Sequence, residues 1–383
     1  MEWFPGFSQN GAKRMVSQLT DPIQRARAAA GLTRMGTKAV PALLDALYSH
    51  SPELPSLAGQ VLAQIGRDAI PGLIYTLQRA FPPVRARAAL ILGQIKDTAA
   101  VPALLTALQG EFFTVRAAAA TALGDVGDNN SLQALLKSLK DPEPAVRGAA
   151  ALAVGAYELP GTFEALASLL LDDPTTEVRQ AAARALGGTK DPAALPYLME
   201  ALHDSFWWYE REAAAVALLD AIQGIGEPAI QPLINSLTDP EGTIRRFAVV
   251  LLGNLRAEDA VEALGMALYD LHHEVGSLAG RALGQIGSPS LSVLETASQH
   301  PEPGIRRNAA LGLGMIDHPQ SAGLLLKLLE DPDRTVRMEC IPGLAAQKDS
   351  LALAALMQLA GDRTDRELQS LAEEALNRLN LKA

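Results

Sequence analysis

Apolar residues recur along this chain at helical spacing, in short blocks that alternate between two textures. One texture is Ala-rich and follows an Asp-Pro-type turn and a Val-Arg or Ile-Arg pair. Examples are DPEPAVRGAAALAVG (141–155), DPTTEVRQAAARALG (173–187), DPEGTIRRFAVVLLG (239–253) and DPDRTVRMECIPGLA (331–345). The other is Leu-rich, as in AVPALLDAL (39–47), AIPGLIYTL (69–77), AVPALLTAL (100–108) and AIQPLINSL (229–237). The pattern predicts two helices per block. The first is expected to begin where an Asp caps orphan N–H groups and to stop at a glycine: Gly93, Gly124, Gly187, Gly253, Gly284 or Gly314. The second is expected to open on a proline such as Pro41, Pro71 or Pro102, where the missing N–H costs nothing.

The arginine of the Val-Arg pair sets the register. It stands at Arg25, Arg85, Arg116, Arg147, Arg179, Arg211, Arg245, Arg306, Arg337 and Arg366, with Pro55 and Gly276 in its place in two divergent units. The period is roughly 30–34 residues throughout, which makes about a dozen units with no linker between them. One helical hairpin cannot bury two apolar faces alone, so each stacks on its neighbours. The expectation is an all-α, right-handed α-solenoid of about twelve helical hairpins running as one continuous array over residues 1–383. Residues 1–20 read as an N-terminal capping helix and 362–383 as a C-terminal capping unit.

Composition agrees with helices. Hydrophobic residues make up 48% of the chain and aromatics only 4%, so the apolar mass is Ala and Leu rather than the residues strands favour. The formal charge of −10 opposes binding to a polyanion, and no basic groove offsets it, so no nucleic-acid partner is expected. No apolar stretch approaches the length a bilayer requires, no signal peptide opens the chain, and the reading is a cytoplasmic protein without membrane insertion. A single cysteine, Cys340, excludes an internal disulfide and a cysteine-based metal cluster. It lies in an Ala-rich helix, which points to a buried, inert thiol. Walker, dinucleotide, H-E-x-x-H and G-x-S-x-G motifs are all missing, so no catalytic residue is assigned.

The Trp-Leu-Gly-Tyr pattern of tetratricopeptides and the Thr-Pro-Leu-His of ankyrins are absent. The D-P-x-x-x-V-R-x-x-A-A-x-A-L-G phrase with A-V-P-A-L-L resembles HEAT repeats, specifically the short variety of phycobilisome-lyase-like proteins. The resemblance covers nearly the whole chain. It implies a protein-binding scaffold or assembly factor in a photosynthetic or cofactor-maturation setting. The alternatives it carries are a bilin lyase or bilin-binding protein and, behind that, an iron–sulfur assembly partner. It also implies that the register arginine and the turn Asp form an internal polar ladder, with Asp141/Arg147, Asp173/Arg179, Asp239/Arg245 and Asp331/Arg337 at the required spacing.

Candidate binding residues are departures from the repeat. Phe206, Trp207, Trp208 and Tyr209 fill a turn that elsewhere holds small or charged residues, and an insertion of roughly three residues follows near Asp220–Gly224. With His203 and Glu200 beside them, they are the residues expected to hold a partner or, in the bilin alternative, a tetrapyrrole. Phe112 and Phe113 are an echo at the corresponding turn, with Phe81 before Pro82-Pro83 another. Tyr48, Tyr75 and Tyr269 are anchors on the second helices, which are expected to line a concave face that takes a folded protein. The adjacent His272 and His273 lack a third ligand nearby, so no metal and no resident cofactor is expected.

Overall fold

A computed structural model describes residues 7–157, 160–204, 212–347, 350–362 and 364–380. The described residues are helical hairpins with short 3₁₀ turns and contain no strand, an all-α solenoid as the repeat predicts. Phe206–Tyr209 lie outside the described residues. The chain divides into two compact units, one of Met1–Asp204 with Val216–Ala221 and the other of Ser205–Ala215 with Ile222–Ala383.

One leucine per repeat anchors the second helices: Leu43, Leu73, Leu104, Leu135, Leu166 and Leu198 in the first unit and Leu233, Leu264, Leu294, Leu325 and Leu356 in the second. All are fully inaccessible to solvent. Burying each removes apolar area worth about 1.5–3 kcal/mol, so this single position supplies a large part of the stacking energy. Prolines open these helices as expected, with Pro41 in Val40–Ala46, Pro71 in Ile70–Arg79 and Pro102 in Val101–Leu108.

Two local expectations are corrected. The turn Asp does not cap the first helix. In the repeat led by Asp141 the helix runs Pro144–Gly155 and its N-cap is Glu143, while the Asp141 carboxylate accepts the Glu143 N–H at 2.9 Å. The Asp therefore closes the turn before the helix, in an Asx-turn arrangement.

Nor do Gly93 and Gly124 terminate their helices, since neither has a positive φ. Their use is close approach. A Cβ on Gly93 would lie 2.6 Å from the Ala122 Cα, and one on Gly124 would lie 2.8 Å from the Ala153 Cα. First helices of adjacent repeats thus touch backbone to backbone, which a side chain at Gly93 or Gly124 would prevent. The left-handed stop belongs instead to a later residue, Gly127 at φ 69° after Phe113–Val126, or Lys96 at φ 56° after Pro82–Ile95.

Candidate functional site

The register arginines link neighbouring repeats. Arg116 donates through Nε and Nη2 to the Asp141 carboxylate at 2.8 and 2.9 Å, and through Nη1 to the backbone oxygens of Gly110 and Glu111. Arg147 does the same on Asp173, Arg245 on Asp270 and Arg306 on Asp331, while Arg179 reaches Asp204 through Nη1. The pairs expected within one repeat meet differently. Arg147 contacts Asp141 only through its backbone carbonyl, at 2.9 Å, and Arg179 contacts Asp173 likewise at 2.7 Å. The ladder is therefore built between repeats. Its cause is the turn: Asp141 Oδ1 already holds the Glu143 N–H, which fixes the carboxylate in position for the guanidinium of the preceding repeat.

These rungs are largely shielded from solvent, with Arg147 and Asp173 side chains 12% and 3% exposed. Burial alone would raise the Asp173 carboxyl. The Arg147 hydrogen bond, the Thr175 N–H and the Arg147 charge outweigh it and hold the group below the ordinary carboxylate range. Asp141 and Asp270 follow the same balance.

Pro55 and Gly276, which hold the arginine position in two repeats, are accompanied by the same substitutions. Each has a tyrosine seven positions upstream, Tyr48 and Tyr269, where other repeats have residues such as Gln78, Gln109, Lys140, Gln299 or Glu330. Each tyrosine meets an aromatic of the next turn edge-on: Tyr48 with Phe81 at 5.6 Å and 64°, Tyr269 with His300 at 5.2 Å and 76°. In both, a donor from the following repeat takes the carbonyl at the end of the second helix. Arg87 Nη1 bonds the Leu47 oxygen at 2.8 Å, and Asn308 Nδ2 bonds the Leu268 oxygen at 3.4 Å. The equivalent Leu77 oxygen is served by its own register arginine, Arg85, at 2.8 Å. The following turns carry Arg79 and His300 where Asp stands elsewhere. Without a guanidinium, a half-buried carboxylate there would lack its counter-charge.

The candidate anchors therefore fall into separate groups. Tyr48 and Phe81 form one pair, and Tyr75, Phe112 and Phe113 are exposed on the neighbouring repeats of the same unit. Tyr75 is the most open of these, at 67%. Tyr269 belongs to the second unit and packs on His300. Glu200 and His203 are exposed at the end of Leu195–Leu202, where His203 Nδ1 lies 2.8 Å from the Met199 oxygen. Sequence reasoning missed His300, Arg87 and Asn308. Their signal was available, since the tyrosine at this position accompanies the two missing arginines.

His272 and His273 line a depression of about 360 Å³ with Glu241, Gly242, Arg246 and Glu274. The His272 ring packs where a Gly242 Cβ would come within 2.9 Å, and Arg246 pairs with Glu274 at 3.1 Å across the same wall. Cys340 is fully buried and donates to the Val336 oxygen at 3.2 Å; burial pushes its thiol far above the ordinary range. No described helix is long and apolar enough to cross a membrane.

A solved karyopherin shares this architecture. The karyopherin Kap121p bound to the extreme C-terminus of the protein phosphatase Cdc14p superposes with a TM-score of 0.58 at 15% identity, over 96% of this chain and 49% of that one. The complex of CpcE and CpcF of phycocyanin lyase from Nostoc sp. PCC7120 is 25% identical, with a TM-score of 0.35 over 58% of this chain and 91% of that one. Deoxyhypusine hydroxylase-B of Oryza sativa subsp. japonica is 30% identical over 128 residues, which are 32% of this chain and 41% of that protein. The chain thus spans well under half the length of that curated relative. The sequence profile of HEAT repeats matches residues 70–142, 132–219, 230–299 and 291–377. With repeat register, stacking and profile in agreement over most of its length, the chain belongs to the HEAT-repeat family.

Proposed function

We propose that this HEAT-repeat chain is a scaffold or assembly factor that holds a folded protein. The observation that carries the reading is the aromatic set of the first unit. Tyr48, Tyr75, Phe81, Phe112 and Phe113 are each at least 42% exposed in a chain whose leucine core is closed to solvent. Aromatic residues concentrate binding energy at interfaces, and several left open on consecutive repeats offer anchors for a partner. The mixed neighbours, Asp45, Gln78, Thr106 and Gln109, suit a protein surface rather than a uniform polyanion. The sequence resemblance supports a setting in photosynthetic or cofactor-maturation assembly, with bilin binding as the alternative use.

The test is affinity purification from the native cell with wild type and the Tyr48→Ala/Tyr75→Ala/Phe112→Ala variant. A specific partner retained by wild type and lost, by about 2 kcal/mol or more, from a variant that remains folded supports the reading. Unchanged capture by the triple variant would falsify it.

A further inference from the structure

Arg85 is a register arginine whose carboxylate is missing. In the other rungs the partner Asp lies 25 or 26 residues on, as in Arg116–Asp141, Arg147–Asp173, Arg245–Asp270 and Arg306–Asp331. Twenty-five residues on from Arg85 stands Gly110. The backbone around Gly110 nevertheless keeps the form of the Asp turns. Its N–H donates to the Ala107 oxygen at 3.1 Å, as Asp141 donates to Ser138 at 3.2 Å, and its carbonyl is held by Arg116 Nη1 as that of Asp141 is held by Arg147.

Arg85 is turned differently from the paired arginines: its Nε, which takes the carboxylate at Arg116 and Arg147, is given to the Leu77 oxygen, and its Nη edge is what faces Gly110. A Cβ built on Gly110 would stand 3.9 Å from Arg85 Nη2, so the guanidinium still faces the place a turn carboxylate would enter. Only its Nε has a hydrogen-bond partner among the described residues, the Leu77 oxygen. A second donor is left over at the same spot. At the Asp turns the N–H two residues on donates to the carboxylate (Glu143, Thr175, His272, Asp333), whereas the Phe112 N–H has no protein acceptor among the described residues. Glu111, the residue between, is exposed, and among the described residues no ion pair joins it to Arg85.

We propose that this gap is a docking site for an acidic side chain of a protein partner, an Asp or Glu next to an apolar residue. The external carboxylate takes the Arg85 Nη groups and the Phe112 N–H, completing the rung from outside. Its apolar neighbour packs on Phe112 and Phe113, 42% and 45% exposed in the same turn. The carboxylate is specified by the open Arg85 Nη edge together with the Phe112 N–H, and the apolar neighbour by the aromatics that border it. The inference deepens the scaffold reading by naming what the partner presents on this face.

The experiment uses the full chain and two probe peptides, acetyl-Gly-Asp-Phe-Gly-amide and its Asn twin, with the Phe112 amide and Arg85 Nε–H followed by NMR. The Asp peptide should shift both signals saturably, and the Asn twin should bind about tenfold more weakly. Gly110→Asp, which supplies the rung internally, should abolish the shifts and melt higher than Gly110→Ala. Equal binding of the two peptides, shifts that survive Gly110→Asp, or saturation by acetate at the concentration the Asp peptide needs would each overturn the proposal. So would a Gly110→Asp chain no more stable than Gly110→Ala. None of these outcomes depends on a native partner having been captured, so failure here is separable from failure of the scaffold reading.

Discussion

Replacing Asp173 by Ala should destabilise the chain by about 3 kcal/mol, through one rung of the inter-repeat ladder. Asp173 is 3% exposed and accepts Arg147 Nε at 2.7 Å, Arg147 Nη2 at 3.0 Å and the Thr175 N–H at 2.9 Å. Removing it leaves a guanidinium only 12% exposed without its counter-charge. Breaking a buried pair costs about 3–5 kcal/mol, and the low end applies because Arg147 Nη1 keeps the Asp141 and Pro142 oxygens. The internal comparison is Asp204, the acid of the next rung: its partner Arg179 is as buried as Arg147, at 11%, but Asp204 itself is 33% exposed, so water taking its place can solvate the guanidinium. Its removal should cost about 1 kcal/mol.

Urea unfolding followed by circular dichroism measures both. Hydrogen exchange across residues 144–186 reads local opening, because repeat arrays need not unfold in one step. The pH dependence has a definite sign. The native Asp173 carboxyl sits below its ordinary value, so its stabilising contribution is complete above about pH 4 and disappears as pH falls through the native pKa. The Asp173→Ala chain should therefore lose less stability than wild type on acidification. If Asp173→Ala unfolds within about 0.5 kcal/mol of wild type, or Asp204→Ala costs as much, burial does not set the strength of the rungs and the reasoning fails.

Gly93→Ala should cost about 1–3 kcal/mol in urea melts, because its methyl would meet the Ala122 backbone, which cannot yield as a side chain could. Gly276→Arg should be destabilising alone, since its Cβ would crowd Asn308 Nδ2 at 2.6 Å; Asn308→Ala should offset part of that cost, giving a coupling of about 1 kcal/mol in a double-mutant cycle. Cys340 should be unreactive toward a thiol dye in the native chain at mildly alkaline pH and label fully in denaturant, with rapid native labelling counting against its burial.

The repeat, its period and the identity of the paired helices were readable in the sequence because stacking imposes one leucine and one arginine per unit at nearly constant spacing. Local stops were misread for a physical reason. A glycine at a helix end can serve backbone freedom or close approach, and the sequence of one hairpin does not reveal which neighbour presses on it; Gly93 turned on Ala122, a residue of the next repeat. The ladder was misread in the same way. Asp141 and Arg147 have the spacing of a pair, but the carboxylate had already been taken by the Glu143 N–H and by Arg116. Exposure of Tyr48, Tyr75, Phe112 and Phe113 is set by the packing of neighbouring repeats, since an aromatic at a turn reads alike in sequence whether it plugs or protrudes.

Because Arg116, Arg147, Arg179, Arg245 and Arg306 each find their carboxylate in the following repeat, the unit that can be copied or exchanged is not the helical hairpin taken alone. A hairpin bounded by an arginine and an Asp can be duplicated anywhere that both neighbours follow the same rule, and the new junctions close themselves. The repeats holding Pro55 and Gly276 do not obey that grammar. Moving either one requires carrying along Arg87 or Asn308 and the turn aromatic from its successor, so these junctions fix the order of their repeats within the array.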